Sequence, residues 1–290
     1  MSTSSRYFIT GAAGQLGRLV VAELARRAGP DSVTAIVRDP ARAAGLFPNG
    51  VTVRAGDYDQ PETLARALDG AERVLLISSN AIGARVAQHG HVIEAAKRAG
   101  VARLAYTSAL RAGTSRLSVA DEHRQTEALI VASGLAHTLL RNGWYHENYT
   151  ASIPPALQHG ALIGSAGQGR ISSAARADYA EAAAIALLDD AAEDRVVHEL
   201  AGDEAFTLAD FAAELSRQTG RQIPYIDLPE ADYRGALIGA GLPEPVADLL
   251  ASSDAVAADG ALFDAGRALS SLLGRPTTPV AQAITRALQG

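Results

Sequence analysis

Residues 7–17 read Tyr-Phe-Ile-Thr-Gly-Ala-Ala-Gly-Gln-Leu-Gly. The opening residues are apolar and β-prone. Gly11, Gly14 and Gly17 are spaced G-x-x-G-x-x-G, and Leu16, Leu19, Val20 and Leu24 continue at helical spacing. Strand, glycine turn and helix in that order open a βαβ unit of the dinucleotide-binding kind. The first glycine permits a tight turn, the second lets the backbone approach a pyrophosphate, and the third lets the helix pack on the strand. The helix N-terminus then offers amides to the phosphates. Gly11, Ala12, Ala13, Gly14, Gln15 and Leu16 are therefore candidate cofactor contacts. The competing reading is a tight strand–helix turn with no ligand.

Outward from this turn the pattern repeats. Apolar runs at 33–37, 51–53, 74–77, 104–107 and 138–140 read as strands, and stretches at 61–68, 92–99 and 119–133 read as helices. The spacing predicts an α/β domain, a doubly wound parallel sheet of the Rossmann kind, with a helix in each interval. After about Asn148 the pattern changes. Pro154-Pro155 breaks the chain, residues 160–169 are glycine-rich, and 175–188 is an alanine-rich helix. A strand at 196–200, a capping box at Thr207-x-x-Asp210, a strand at 223–228 and helices broken by Pro243, Pro245, Pro276 and Pro279 complete the chain. This predicts a nucleotide-binding domain over 1–150, to which 176–204 returns. Residues 151–175 and 205–290 are expected to form a smaller, mostly helical substrate-binding lobe.

Composition narrows the function. The 290 residues carry 26 Lys+Arg against 32 Asp+Glu, a net charge of −6, which argues against a nucleic-acid partner. Zero cysteines exclude a thiolate nucleophile, a disulfide scaffold and a Cys-ligated metal. The seven histidines are scattered without H-x₃-H or H-E-x-x-H spacing, so no metal is expected. Neither an export segment nor a membrane-spanning run is evident, and the expected location is cytoplasmic.

Candidate chemistry clusters at the C-terminal ends of strands, where open α/β sheets bind ligands. Arg38 ends the second strand, where an acid would suit the ribose 2′-OH of NAD and an Arg a 2′-phosphate. This favours NADPH; the alternative is a surface pair with Asp39. Asp57 and Tyr58 follow the third strand, within reach of an adenine. Ser78, Ser79 and Asn80 follow the fourth, and Thr107 and Ser108 the fifth. Short polar residues also belong in ordinary strand–helix loops. The helix over Ala120–Glu127 lacks the Tyr and Lys at i, i+4 that a ketoreductase uses to protonate its product. His123 is the substitute acid or cofactor contact, unless it pairs with Glu127 at i+4. The stretch Arg141-Asn142-Gly143-Trp144-Tyr145-His146-Glu147-Asn148 holds the one tryptophan of the chain. It is expected over the nicotinamide, with Ser108, Trp144, Tyr145 and His146 on the substrate side. An aromatic cluster joining the two lobes is the other reading.

Thr10–Gly17, Ala35–Arg38, Leu76–Ser79, Ala105–Ser108, Thr138–Tyr145, Arg176–Tyr179 and Leu200–Asp203 together resemble the NmrA-like, atypical short-chain dehydrogenase/reductases. Within that group they are most similar to the flavin-free NAD(P)H:quinone oxidoreductases and the triphenylmethane reductases. The resemblance implies a Rossmann domain and a small C-terminal lobe, with substrate in the cleft between them. It implies NADPH held by Gly11–Leu16, Arg38, the loop at Ser78, and Gly143, Trp144, Tyr145 and Asn148. It also implies direct hydride transfer to a quinone or cationic dye, without a tyrosine acid. His123 falls where isoflavone-reductase-like relatives carry a catalytic lysine, and Ala13 stands where many relatives carry threonine. NmrA itself resembles this fold, so a non-catalytic NADP(H)-sensing regulator stays open. So does a reductase or isomerase of a specialised metabolite. The sequence leaves the oligomeric state open, a homodimer being the commonest assembly.

Overall fold

The computed structural model describes residues 6–289. Along the chain run β1 (Tyr7–Ile9), α1 (Gln15–Ala28), β2 (Val33–Val37), β3 (Thr52–Ala55), α2 (Pro61–Ala67), β4 (Arg73–Leu76), α3 (Arg85–Ala99), β5 (Arg103–Ala109), α4 (Ala120–Ser133) and β6 (His137–Asn142). There follow α5 (His146–Thr150), α6 (Ile153–His159), β7 (Leu162–Gly164), α7 (Arg176–Leu188), β8 (Arg195–Leu200), α8 (Leu208–Thr219) and β9 (Tyr225–Asp227). The last helices are α9 (Glu230–Gly239), α10 (Glu244–Ala258), α11 (Ala268–Leu273) and α12 (Val280–Leu288).

A seven-stranded sheet takes the order β3-β2-β1-β4-β5-β6-β8. β1 pairs parallel with β2 and β4, with Tyr7 opposite both Val33 and Arg73. β4–β5 and β5–β6 are parallel as well. His137 N–H donates to Asp194 O and Gly143 N–H to Leu200 O, each at 2.7 Å, so β8 advances in step with β6. Every residue of β1, β2, β4 and β5 is buried, which is why these strands read as unbroken apolar runs and not as alternation. Val74, Leu75 and Leu76 are each 0% exposed, and burying a side chain of this kind stabilises the fold by about 1.5–3 kcal/mol. Strand order reverses between β1 and β4, so the turns after these strands flank the switch point where such sheets bind ligands.

The chain divides into two compact units. The first runs to Ala112 and resumes over Asp121–Asn142 and Tyr179–Glu199; the second takes Gly113–Ala120, Gly143–Asp178 and the chain from Leu200 onward. The expected boundary at residue 150 thus stands beside a division at 142/143. Phe8, Ile36, Leu64, Leu76, Val92, Leu104 and Tyr106 belong to one core cluster of the first unit. The second unit packs Tyr149, Phe206, Phe211, Leu215 and Ile284 together, with Tyr149 edge-on to Phe206 at 5.7 Å. Its β7 and β9 form a parallel pair.

Three expectations need correction. No α-helix separates β2 from β3; turns and bends span residues 38–51. Pro154 and Pro155 do not break the chain but open α6, where the missing N–H groups cost nothing because a first helical turn leaves them unpaired. Pro243 and Pro279 likewise sit at the N-caps of α10 and α12. The glycine-rich stretch 160–169 contains β7, only three residues long and so without a readable period. The Thr207–Asp210 capping box forms as expected. Among the described residues no helix is long and apolar enough to cross a membrane.

Candidate functional site

The glycine turn is built without room for side chains. Gly11 adopts φ +62°, a left-handed conformation that favours glycine. A Cβ at Gly17 would stand 2.5 Å from Gly11 O and 2.7 Å from Ala12 Cα, so α1 packs directly on the turn. Gly14 caps α1 in extended conformation, with no side-chain cap and no acid in the first turn. The first-turn amides therefore lack the usual internal competitor for an anion. Ala13 and Gln15 are exposed, whereas Ala12 and Leu16 are buried. Below the turn, Thr10 Oγ1 donates to Leu75 O at 3.1 Å and lies 2.5 Å from Tyr58 Oη, and Tyr58 Oη donates to Ile77 O at 2.9 Å. Tyr58, expected near an adenine, turns its hydroxyl inward as a brace under Gly11. Burial pushes its phenol above the ordinary range.

Arg38 stands exposed at the end of β2, with no hydrogen bond or ion pair among the described residues. Asp39 does not pair with it. Its carboxylate caps the next turn by accepting from Ala41 N at 3.0 Å and Arg42 N at 3.3 Å. The Asp57 carboxylate accepts from Asp59 N at 3.1 Å. An open anion-binding helix end, a side-chain-free turn and an unengaged guanidinium one strand away fit a dinucleotide that carries a 2′-phosphate.

The turns after β4 and β5 are tied by a buried polar lattice that sequence reading missed. Ser78 N–H donates to Thr107 Oγ1 at 2.8 Å. Ser79 N–H donates to His89 Nε2 at 2.9 Å, which leaves the proton on Nδ1 to donate to Thr126 Oγ1 at 2.9 Å. The Ser79 hydroxyl bonds Gln88, and Gln88 Nε2 donates to Asp59 Oδ1 at 2.9 Å. Arg85 Nε donates to Ser79 O at 2.6 Å while its Nη1 lies 3.4 Å from Glu122 Oε2. Asn80 is exposed beside this lattice. Its signal was present in the sequence: Arg85, Gln88 and His89 are polar at i, i+3 and i+4 of α3, on a helix that buries Val92, Ile93 and Ala96.

His123 is 7% exposed and pairs with Tyr106 Oη through Nδ1 at 2.6 Å. The alternative pairing with Glu127 is absent. Burial, with the Arg85 charge assisting, lowers the His123 imidazole to about 3, so the ring is neutral near pH 7 and holds no imidazolium proton to give. Glu127 instead accepts from Ser108 Oγ at 2.5 Å and from Arg141 Nε and Nη2 at 2.9 and 2.6 Å. Arg141 Nη1 reaches Glu199 Oε1 at 2.7 Å, and Glu199 Oε2 accepts from Arg111 N at the same distance. Arg111 has φ +50°, the one non-glycine residue with positive φ among the described residues. Ser108, expected to face substrate, is 5% exposed with its proton committed to Glu127.

In the second unit, Gly143 N–H donates to Leu200 O, and Trp144 O accepts from Ala174 N at 3.1 Å. Trp144, Tyr145 and Asn148 are half-buried, and the Arg176 guanidinium lies 4.8 Å over the Tyr145 ring. His146 departs from its expected substrate role. It is 2% exposed, its Nε2 donates to Thr278 O at 2.8 Å, and its Nδ1 accepts from Ser173 Oγ at 2.8 Å. Both ring nitrogens are thus spent on packing.

Residues 11–190 match a family described as NAD(P)H-binding. The chain is 52% identical to quinone oxidoreductase 2 of Escherichia coli over 277 residues, 96% of each chain. The crystal structure of that NADPH-dependent enzyme complexed with NADPH superposes with a TM-score of 0.93, covering 97% of this chain and 99% of the other. Citrobacter triphenylmethane reductase gives a TM-score of 0.93 at 31% identity, over 98% and 100% of the two chains. An NmrA-like oxidoreductase of Aspergillus flavus is 29% identical over 98% of this chain and 95% of its own.

Proposed function

This chain belongs to the NAD(P)H-binding family, and from that premise we propose that it is an NADPH-dependent reductase of quinones or similarly electrophilic conjugated compounds, acting without flavin. The observation that carries this reading is the 52% identity to quinone oxidoreductase 2 along 96% of both chains.

Bound NADPH supplies the hydride. Gly11, Gly14 and the first-turn amides of α1 hold its pyrophosphate, and Arg38 its 2′-phosphate. The Ser78–Thr107 bond fixes the two strand ends beside the switch point. The helix over Ala120–Glu127 carries neither lysine nor tyrosine, and His123 is neutral. The chain therefore provides no strong acid on this helix, which suits an acceptor electrophilic enough to take hydride before protonation. His123 serves as a neutral hydrogen-bonding group held by Tyr106. Trp144 and Tyr145 supply the flat faces for a conjugated ring. Assembly as a homodimer and a cytoplasmic location belong to the same reading.

The test is the loss of nicotinamide absorbance with purified protein, NADPH and a panel of quinones, with no flavin added. Rapid loss is expected; binding of NADPH with no turnover of any quinone or dye would shift the assignment to a sensor. Arg38→Glu should weaken NADPH by about 1.5–3 kcal/mol, the scale of a charge-assisted bond, and leave NADH unaffected. Equal losses for both cofactors would remove the 2′-phosphate assignment.

A further inference from the structure

Tyr106 lies inside β5 at 0% exposure, and the partner of its hydroxyl among the described residues is His123 Nδ1 at 2.6 Å. Two imidazoles flank its ring. His89 stands edge-on at 5.3 Å between centroids, and His123 is tilted at 5.7 Å. His89 spends both ring nitrogens, Nε2 on Ser79 N and Nδ1 on Thr126 Oγ1. His123 spends only Nδ1. Its Nε2 makes no hydrogen bond among the described residues, yet it is not one of their buried atoms left without a partner, so it opens toward solvent. The row of three rings therefore starts under the turn after β4, beside the switch point, and ends on an unengaged nitrogen of α4.

The direction of the Tyr106–His123 bond decides what that nitrogen can do. A buried phenol proton needs an acceptor, because leaving it without one costs the desolvation of the group. Were the ring proton on Nδ1, imidazole and phenol would both be donors, and the phenol proton would have no acceptor. The nearby Thr126 hydroxyl is engaged elsewhere, with His89 Nδ1 and, as a donor, with Glu122 O at 2.8 Å. Tyr106 therefore donates to His123 Nδ1. The ring is neutral near pH 7, so its one proton sits on Nε2, and the open atom is a hydrogen-bond donor.

We infer that Tyr106 is a positioning residue that holds His123 as the Nε2–H tautomer, and that this N–H donates to a quinone oxygen as that oxygen gains charge. Hydride transfer breaks the nicotinamide C–H bond, forms one new bond to hydrogen on the quinone and leaves NADP+. The quinone becomes a hydroquinone monoanion, and solvent supplies the second proton. A neutral donor aimed at the forming oxyanion bonds more strongly in the transition state than in the ground state, and it surrenders no proton. A cationic dye takes hydride onto carbon, becomes neutral and forms no oxyanion. The same N–H thus favours carbonyl-bearing acceptors over cationic ones. The quinone class rests on the reductase reading; the tautomer rests on the hydrogen bonds alone.

The test is nitrogen NMR of the full-length protein carrying isotope-labelled histidine and loaded with NADP+, which cannot reduce a quinone. His123 is assigned among the seven histidines by its absence from the His123→Gln spectrum. At pH 7 its Nδ1 should be unprotonated and its Nε2 protonated. Added duroquinone should move the Nε2 resonance, and crystal violet should leave it in place. Tyr106→Phe should move the Nδ1 resonance, which loses its hydrogen bond, and slow duroquinone turnover through kcat. In the same assay with NADPH, His123→Leu should lower kcat/KM by about 10–100-fold, the scale of one hydrogen bond to a charged group. His123→Gln should keep most of the rate, because its amide accepts from Tyr106 and donates outward in the same pattern. Each variant is checked for folding by thermal unfolding, and the wild-type spectra need no variant to fold. A proton on Nδ1, an Nε2 resonance indifferent to duroquinone, or a glutamine variant as slow as the leucine one would overturn the proposal. Lack of quinone turnover with the tautomer and the duroquinone shift intact would remove the reductase reading alone.

Discussion

The first unit carries a connected lattice of buried polar side chains, whereas the core of the second is built on aromatic rings. In the first, His89, His123, Ser79, Ser108 and Glu127 are each bonded within the lattice. In the second, Tyr149, Phe206 and Phe211 pack ring against ring. A satisfied network is rigid before any ligand arrives, so the strand ends that face a cofactor are set in advance. Single buried atoms without a partner cost stability instead, and they occur in both units, as at Asn142 Oδ1 and Tyr149 Oη.

The strongest way to break the first half of this contrast is Arg141→Ala. It leaves Glu127, 7% exposed, with Ser108 as its remaining side-chain donor among the described residues, and it removes the cation from Glu199 Oε1, whose Oε2 holds the Arg111 amide. Removing one partner of a buried pair costs about 3–5 kcal/mol, and the partial exposure of Arg141 places the expected loss near the lower bound, about 3 kcal/mol by chemical denaturation. A loss below about 1 kcal/mol would mean that the lattice is ornamental. Gly17→Ala comes next, at about 2 kcal/mol, because the added methyl meets backbone and not a flexible side chain. NADPH affinity should fall with it, which calorimetry would read.

Acid pH separates the two interiors by sign. His89 and His123 are lowered to about 3, chiefly by burial. Their neutral forms contribute stability that is present above the ordinary histidine range and lost as pH falls toward 3. Asp254, raised to about 6, acts the other way: its contribution is present below the ordinary aspartate range and lost as pH rises through about 6. Between pH 7 and 4, Asp254→Asn should therefore steepen the acid loss of Tm and His123→Gln should flatten it. Parallel curves for all three proteins would show that these groups do not titrate on unfolding. The smallest expected effect is Thr207→Ala, about 1 kcal/mol from loss of the capping box on α8, with cofactor binding unchanged.

Legibility followed the range of the interaction. The glycine turn, the Arg38 position, the missing Tyr/Lys pair and the capping box are local patterns, and each could be read from neighbouring residues. Between β2 and β3 the expected helix gave way to turns, because the alternation rule carries no information about one particular interval. His123–Glu127 was a sound local pairing that lost to longer-range partners: Arg141 is 14 residues from Glu127 and Tyr106 is 17 from His123. His146 looked like a substrate group because its loop is aromatic, and only its bond to Thr278, 132 residues away, turned it inward.

By itself the sequence determined the βαβ opening, the parallel order of buried strands and the choice of cation at the end of β2. Backbone sterics and hydrophobic period act over a few residues and leave their mark in spacing. Only the tertiary structure decided which polar side chains inside each unit are satisfied. Burial sets the cost of an unpaired group, and burial is a property of everything folded around it: Asp254 meets Ser165 across 89 positions.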